Sequence, residues 1–137
     1  MASDGDSFSI RHIDHLVLVA EDARGLVAFY QAVLALPLER SVDGGLYQLR
    51  AGDSLIDIVS ADASFLHGAP GRGGLDHFCL RVQPFDAARI RARLAGHGVD
   101  CSEVKRVYGA EGFGPAIYFK DPEGNTVELK GPPDDDR

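Results

Sequence analysis

The chain has 137 residues, 45% hydrophobic and 26% charged, a composition typical of one folded domain or of two small similar halves. Its formal net charge is −7 and no segment is rich in Lys or Arg, which argues against a nucleic-acid partner. The sequence shows neither a signal-peptide pattern nor an apolar stretch of about 18 residues, so we expect a cytoplasmic protein that makes no contact with a membrane.

The first half of the chain predicts a strand, a helix and three more strands. Residues 13–20 are apolar and rich in β-branched side chains, which favours a largely buried strand. An apolar stripe at three- and four-residue spacing follows and predicts a helix that ends before Pro37. Turn sequences then separate short predicted strands at 38–42, 46–50 and 55–60. Residues 10–62 are therefore predicted to form a βαβββ module.

The second half of the chain repeats this order. Residues 63–74 are rich in Gly and contain Pro, which predicts a linker. The elements predicted after it are a strand at 75–82, a helix at 85–97 and strands at 103–107, 115–119 and 126–130. The second module, residues 75–131, is longer than the first, and we assign its surplus to a loop at 108–114. Residues 1–9 and the acidic residues 132–137 are predicted to be flexible ends.

Residue-level echoes support an internal repeat of about 60 residues. Asp14-His15 in the first predicted strand recurs as Asp76-His77, and the segment at 55–58 matches the segment at 126–129. The predicted fold class is α+β. Two tandem βαβββ modules would form a curved mixed sheet with a concave metal site, and the helices would lie on the outside.

Each module supplies a His in its first strand and a carboxylate in its last. A single His in an apolar strand is more often a hydrogen-bonded core residue than a metal ligand. However, His15 and His77 stand at equivalent positions, and Asp57 and Glu128 replace apolar residues, so four buried polar groups would need partners. One divalent metal would satisfy all four, and Zn, Ni, Co, Mn and Fe(II) all suit such ligands.

Three motifs carry a resemblance to a known superfamily. They are Asp-His near the start, Asp-His again after the Gly-rich segment, and Tyr-Phe-x-Asp-Pro-x-Gly-Asn-x-x-Glu beginning at Tyr118. Together they resemble the glyoxalase, bleomycin-resistance and extradiol-dioxygenase superfamily, also called vicinal oxygen chelate proteins, over residues 10–131. The last motif is specific for the superfamily and weakly informative about any one function within it.

The resemblance implies a paired βαβββ fold with a metal held at His15, His77 and Glu128. In glyoxalase I the fourth ligand is a Glu at the position of Asp57, which is one methylene shorter, so a water can stand in its place. Superfamily members of this size usually dimerise. The resemblance therefore implies a homodimer in which His15 comes from one chain and His77 with Glu128 from the other.

Substrate-contacting positions depart from the nearest family patterns. Bacterial glyoxalase I has an Arg four residues after the first His, where this chain has Val19, so glutathione is not favoured as a substrate. The equivalent position in the second module is Arg81, and we hypothesise that Arg81 with Lys130 binds an anionic group; the alternative is a solvated Arg at a strand end. Tyr118 matches a substrate-contacting Tyr of fosfomycin-resistance thiol transferases, but the Thr that these enzymes have two residues after the first His is Val17 here.

The resemblance implies a metal-dependent lyase or isomerase, glyoxalase-I-like, acting on a small anionic substrate with adjacent oxygens. Glu128, or Asp57 if it does not bind the metal, could act as general base. The alternatives are a fosfomycin-type thiol transferase or other epoxide-opening resistance enzyme, and a metal-free drug-binding protein of the bleomycin-resistance type. Retention of all three ligand residues argues against the last. Extradiol dioxygenases share the ligands but are generally longer.

Overall fold

The computed structural model describes residues 12–63 and 75–134. Residues 64–74 of the predicted linker, all of residues 1–9 and residues 135–137 lie outside these ranges. The elements are β1 His15–Ala20, α1 Ala23–Leu34, β2 Leu38–Val42, β3 Leu46–Ala51, β4 Ser54–Ser60, β5 His77–Arg81, α2 Ala87–Gly96, β6 Lys105–Gly109, β7 Gly112–Lys120 and β8 Thr126–Lys130. Their order is strand, helix and three strands, twice, which confirms the tandem βαβββ fold.

Each module forms its own four-stranded mixed sheet with the same strand order, β1-β4-β3-β2 in the first and β5-β8-β7-β6 in the second. The first and last strands of a module pair in parallel, which requires a crossover, and the helix supplies it. The register also repeats, because Val17 lies opposite Asp57 and Cys79 lies opposite Glu128. The echoes in the sequence are therefore equivalent positions in the two sheets.

One hydrophobic core joins the two modules on the helix side of the sheets. Its fully buried members include Leu26, Tyr30, Leu49, Ile58, Leu94, Ile117 and Val127. Burying a Leu or Ile side chain contributes about 1.5–3 kcal/mol, so this cluster dominates the stability of the chain. Neither helix within the described ranges has the length and apolar character needed to cross a membrane.

Both helices begin at an Asp that caps their first turn. The Asp22 carboxylate accepts from the Gly25 amide at 3.0 Å, and the Asp86 carboxylate accepts from the Arg89 amide at 3.1 Å. The helix predicted at 85–97 therefore starts two residues later than its sequence pattern indicated, since Asp86 takes the capping position. At its other end α1 stops because Ala35 adopts a left-handed conformation, φ 57.

The segment at 108–114, predicted to be a loop, is instead the end of a long β-hairpin. Strands β6 and β7 pair as far as Gly109 and Gly112, so only residues 110 and 111 form the turn. Tyr108 and Phe113 pack across the strands in an edge-to-face contact, with ring centroids 5.1 Å apart. The loop prediction was wrong because cross-strand aromatic pairing outweighs the turn preference of the glycines. Residues 109–112 are called the hairpin tip below.

A buried polar cluster ties the turn between β7 and β8 to α1. The Asp121 carboxylate accepts from the Tyr30 hydroxyl at 2.7 Å and from the backbone amides of Glu123 and Asn125 at 2.9 Å each. The Glu123 carboxylate in turn accepts from the backbone amides of residues 21 and 22, at 3.0 Å each, just before α1 begins. The second module is thereby fixed to the first by hydrogen bonds as well as by apolar packing.

Candidate metal centre

His77 and Glu128 lie side by side on the two parallel strands of the second sheet. The distance between His77 Nε2 and Glu128 Oε1 is 3.2 Å. Glu128 is only 5% exposed, whereas the His77 ring is partly open to solvent. A buried carboxylate and an accessible imidazole nitrogen therefore converge on one point at the surface of the sheet, the arrangement expected of two ligands to one metal.

The aspartate that precedes each of the two histidines orients its ring. His77 Nδ1 lies 2.7 Å from Asp76 Oδ2, and His15 Nδ1 lies 2.8 Å from Asp14 Oδ2. A carboxylate can only accept, so Nδ1 carries a proton in both histidines. When such a ring is neutral its lone pair is on Nε2, the nitrogen that would bind a metal after the proton shared with Glu128 has left His77. These hydrogen bonds are also the main cause that raises the pKa of both histidines, against a lowering effect of burial.

The reason for the repeated Asp-His pair was not found in the sequence. The repeat of Asp14-His15 as Asp76-His77 is visible in the sequence, but the role of the aspartates follows only from their distances to the imidazole nitrogens. Their position immediately before a candidate ligand was the available signal, because a carboxylate bonded to the far nitrogen of a ligating imidazole is a common arrangement around metals.

The first module presents His15 and Asp57 in the equivalent places. The charge of Asp57 adds to the raised pKa of His15, so the two groups face the same region. Unlike Glu128, however, Asp57 is tied to a side chain of its own sheet: Gln48 Nε2 donates to both of its oxygens, at 3.2 and 3.1 Å. The sequence pattern does not identify Gln48 as a partner of Asp57. The two hydrogen bonds from Gln48 leave Asp57 less available as a metal ligand.

Two residues flank Glu128 on the neighbouring strands, Cys79 on β5 and Tyr118 on β7. Burial, and then the Glu128 carboxylate, raises the pKa of the Cys79 thiol to about 11, so the thiol stays protonated at neutral pH. The same two causes raise the pKa of the Tyr118 phenol. The Tyr118 ring also stands edge-on to His77, with centroids 6.0 Å apart. Glu128 is therefore bordered by two protonated donors.

Arg81 and Lys130 lie opposite each other in register, two residues along the strands from Cys79 and Glu128 and on the same face. Arg81 Nε donates to Glu111 Oε1, and Arg81 Nη1 donates to the Val82 carbonyl at 2.7 Å. Lys130 Nζ donates to the Gly112 carbonyl at 3.1 Å. Both cations hypothesised to bind an anion thus border the face that carries the candidate ligands.

The candidate ligands fall into two groups on separate sheets. His77 and Glu128 meet on the second sheet, and His15 faces Asp57 on the first. Within residues 12–63 and 75–134 no three His, Cys, Asp or Glu side chains of one chain gather closely enough to hold a metal. The imidazole and carboxylate of the second sheet are a donor pair that fits a divalent metal.

Comparison with known proteins places these features in context. The family model described as Glyoxalase/Bleomycin resistance protein/Dioxygenase superfamily matches residues 12–129. Glutathione transferase FosA of Serratia marcescens is 28% identical over 120 residues, which cover 88% of this chain and 80% of that protein.

Solved structures show the same architecture. An integron cassette protein from the mobile metagenome of V. cholerae superposes with a TM-score of 0.78 at 27% identity, over 90% of this chain and 97% of that one. A lactoylglutathione lyase from Agrobacterium tumefaciens superposes with a TM-score of 0.65 at 24% identity, over 88% of this chain and 92% of that one. The second likeness shows the fold alone.

Proposed function

Because the chain belongs to the glyoxalase/bleomycin resistance protein/dioxygenase superfamily, we propose that it is a metal-dependent lyase or isomerase acting on a small substrate with adjacent oxygens. The observation that carries this proposal is the pair formed by His77 and Glu128, 3.2 Å apart, with Asp76 behind the imidazole. A buried carboxylate in this position has no packing role that an apolar residue would not fill better.

We assign the metal ligands to His77 and Glu128 of one chain and His15 of a second chain. A divalent metal held by these residues would supply Lewis-acid chemistry to the adjacent oxygens of the substrate. On the protein side, Glu128 is the candidate base that moves a proton between neighbouring substrate carbons. Asp57 is the weaker candidate because both of its oxygens already accept from Gln48. Tyr118, protonated and beside Glu128, can donate to a substrate oxygen.

Exposed apolar side chains support a homodimer with shared sites. Val17 is 48% exposed and Val19 is 44% exposed, and both follow His15 on the same face of β1. Covering this face with the second sheet of another copy would remove apolar surface from water and bring His15 to the His77 and Glu128 pair.

The free thiols of Cys79 and Cys101 fit the reducing conditions of the cytoplasm.

Thiol transfer to an epoxide such as fosfomycin is the second candidate function. The similarity to glutathione transferase FosA over 88% of the chain favours it, as does the presence of Tyr118. Incubation of the metal-loaded protein with fosfomycin and glutathione, followed by detection of the adduct, distinguishes it from lyase or isomerase chemistry. A metal-free drug-binding protein is disfavoured because it would not need the His77 and Glu128 pair.

Elemental analysis of the purified protein tests the metal site. We expect His77→Ala and Glu128→Gln each to reduce bound metal by about tenfold or more, because each removes one of three protein ligands. His97→Ala is the matched control, since His97 is exposed at the end of α2 and should leave the metal content unchanged. Metal retained at the wild-type level in both ligand variants would refute the site.

Asp76→Asn is expected to weaken metal binding by about 10- to 100-fold, because it removes the carboxylate that orients His77. The side chain of Asp76 is 96% exposed, so the fold should not change. Competition with a chromophoric chelator measures the affinity. Asp53→Asn, in the exposed turn between β3 and β4 of the first module, controls for the loss of one negative charge. Equal metal affinity in the two variants would contradict an orienting role for Asp76.

A further inference from the structure

Lys130 is a buried cation whose acceptors are too few. The residue is only 5% exposed, and within the described ranges the Gly112 carbonyl is the acceptor that its ammonium contacts. An ammonium has three N–H donors, and Lys is almost never fully buried unless it is paired with a carboxylate. Burial of the Lys130 ammonium with so few acceptors therefore destabilises the fold, which is expected of a group that serves to bind an anion.

The hairpin tip supplies the acceptors for both cations of this face. Gly112 accepts from Lys130, and Glu111, one residue earlier, accepts from Arg81. Gly109 lies against the Lys130 side chain so closely that an added Cβ would stand 2.8 Å from Cε. The tip thus folds over Lys130 and places a carboxylate at Arg81, in a protein whose net charge is −7.

The contact between Arg81 and Glu111 is of the kind that a ligand can displace. The Arg81 side chain is 34% exposed and that of Glu111 is 52% exposed. Ion pairs at such exposed positions contribute about 0–1 kcal/mol, because solvent screens them. A substrate carboxylate or phosphonate, held in addition by other contacts in the site, can therefore replace Glu111 at little cost.

The two cations lie close enough to the candidate metal ligands for one small substrate to contact both. Lys130 follows Glu128 by two residues on β8, so their Cα atoms are about 7 Å apart on the same face of the sheet. A compact substrate of a few carbons can span that distance, with its adjacent oxygens at Glu128 and His77 and its anionic group toward Arg81 and Lys130.

We propose that Arg81 and Lys130 form an oxyanion subsite, and that the Glu111 carboxylate occupies it until the anionic group of the substrate displaces it. The proposal rests on the proposed function in assigning that group to the substrate of the Glu128 site. The chemical class is a small molecule that carries a carboxylate, phosphonate or phosphate beside its adjacent oxygens. Glu111 makes the subsite selective, since a neutral ligand cannot compete for Arg81.

Isothermal titration calorimetry of the purified full-length protein with inorganic phosphate tests the subsite directly. We expect Lys130→Met to weaken phosphate binding by about tenfold or more, as for loss of one charged hydrogen bond. Glu111→Gln should tighten it several-fold, because the competing charge is gone. Lys105→Met, which removes an exposed Lys from β6, should bind phosphate as the wild type does.

The outcomes separate this subsite from the metal site. The His77→Ala variant should keep the phosphate response, and loss of binding there would show that phosphate binds the metal and would overturn the proposal. Unchanged affinity in both Lys130→Met and Glu111→Gln, or no saturable binding to the wild type, would also overturn it. If Lys130→Met does not fold, as judged by circular dichroism, Glu111→Gln decides alone, because its side chain is half-exposed.

Discussion

A mixed dimer built from one His15→Ala chain and one His77→Ala chain is expected to hold about one metal ion, although neither variant alone retains metal. The reason is the separation of His15 from the His77 and Glu128 pair on different sheets of one chain. In the mixed dimer, one site combines the intact His15 of the His77→Ala chain with the intact His77 and Glu128 of the His15→Ala chain. The second site lacks both histidines.

Co-expression of the two variants with different affinity tags, tandem purification and elemental analysis measures this result. The matched control is a dimer of His15→Ala chains carrying the same two tags, which should contain no metal above background. A site formed within one chain predicts no recovery at all in the mixed dimer. A mixed dimer without metal, or a wild-type protein that binds metal as a monomer, would therefore exclude shared sites.

Asp121→Ala is expected to destabilise the protein by about 3–5 kcal/mol, the range for breaking a buried, charged hydrogen-bond network. The change leaves the Tyr30 hydroxyl and the amides of Glu123 and Asn125 without their acceptor. For a chain of this size the melting temperature should fall by about 10 °C or more. Chemical denaturation and differential scanning calorimetry both measure the loss.

Tyr30→Phe should have a smaller effect, about 1–2 kcal/mol, because it removes one donor and leaves the other hydrogen bonds of Asp121 in place. Tyr108→Phe is the control, since Tyr108 is exposed and the loss of its hydroxyl should change stability by less than about 0.5 kcal/mol. Equal melting temperatures for Asp121→Ala and the wild type would show that apolar packing alone joins the two modules.

The repeat and the candidate ligands could be predicted because they depend on local periodicity. Alternation along the strands identified the positions of His15, His77 and Glu128, and the structure places the corresponding residues of the two modules in the same register. Element bounds were predicted to within a few residues, and α2 starts later than predicted because Asp86 takes the capping position.

Contacts that depend on register between distant residues could not be predicted. Gln48 reaches Asp57 because β3 and β4 pair with these residues opposite each other. Glu111 reaches Arg81 only because the hairpin of β6 and β7 extends through a segment whose glycines indicated a loop. Nothing in the spacing of these residues along the sequence identifies such partners, since they are fixed by the folded sheet.

The turn at residues 121–125 has a practical consequence for anyone who wishes to change the chemistry of this chain. It supplies most of the motif by which the superfamily is recognised, yet its described hydrogen bonds run to Tyr30, to the start of α1 and within the turn itself. Mutagenesis for a new reaction should therefore vary Asp57, Arg81 and Tyr118 and leave the turn intact. Substitutions in the turn would unfold the protein before they changed its substrate selectivity.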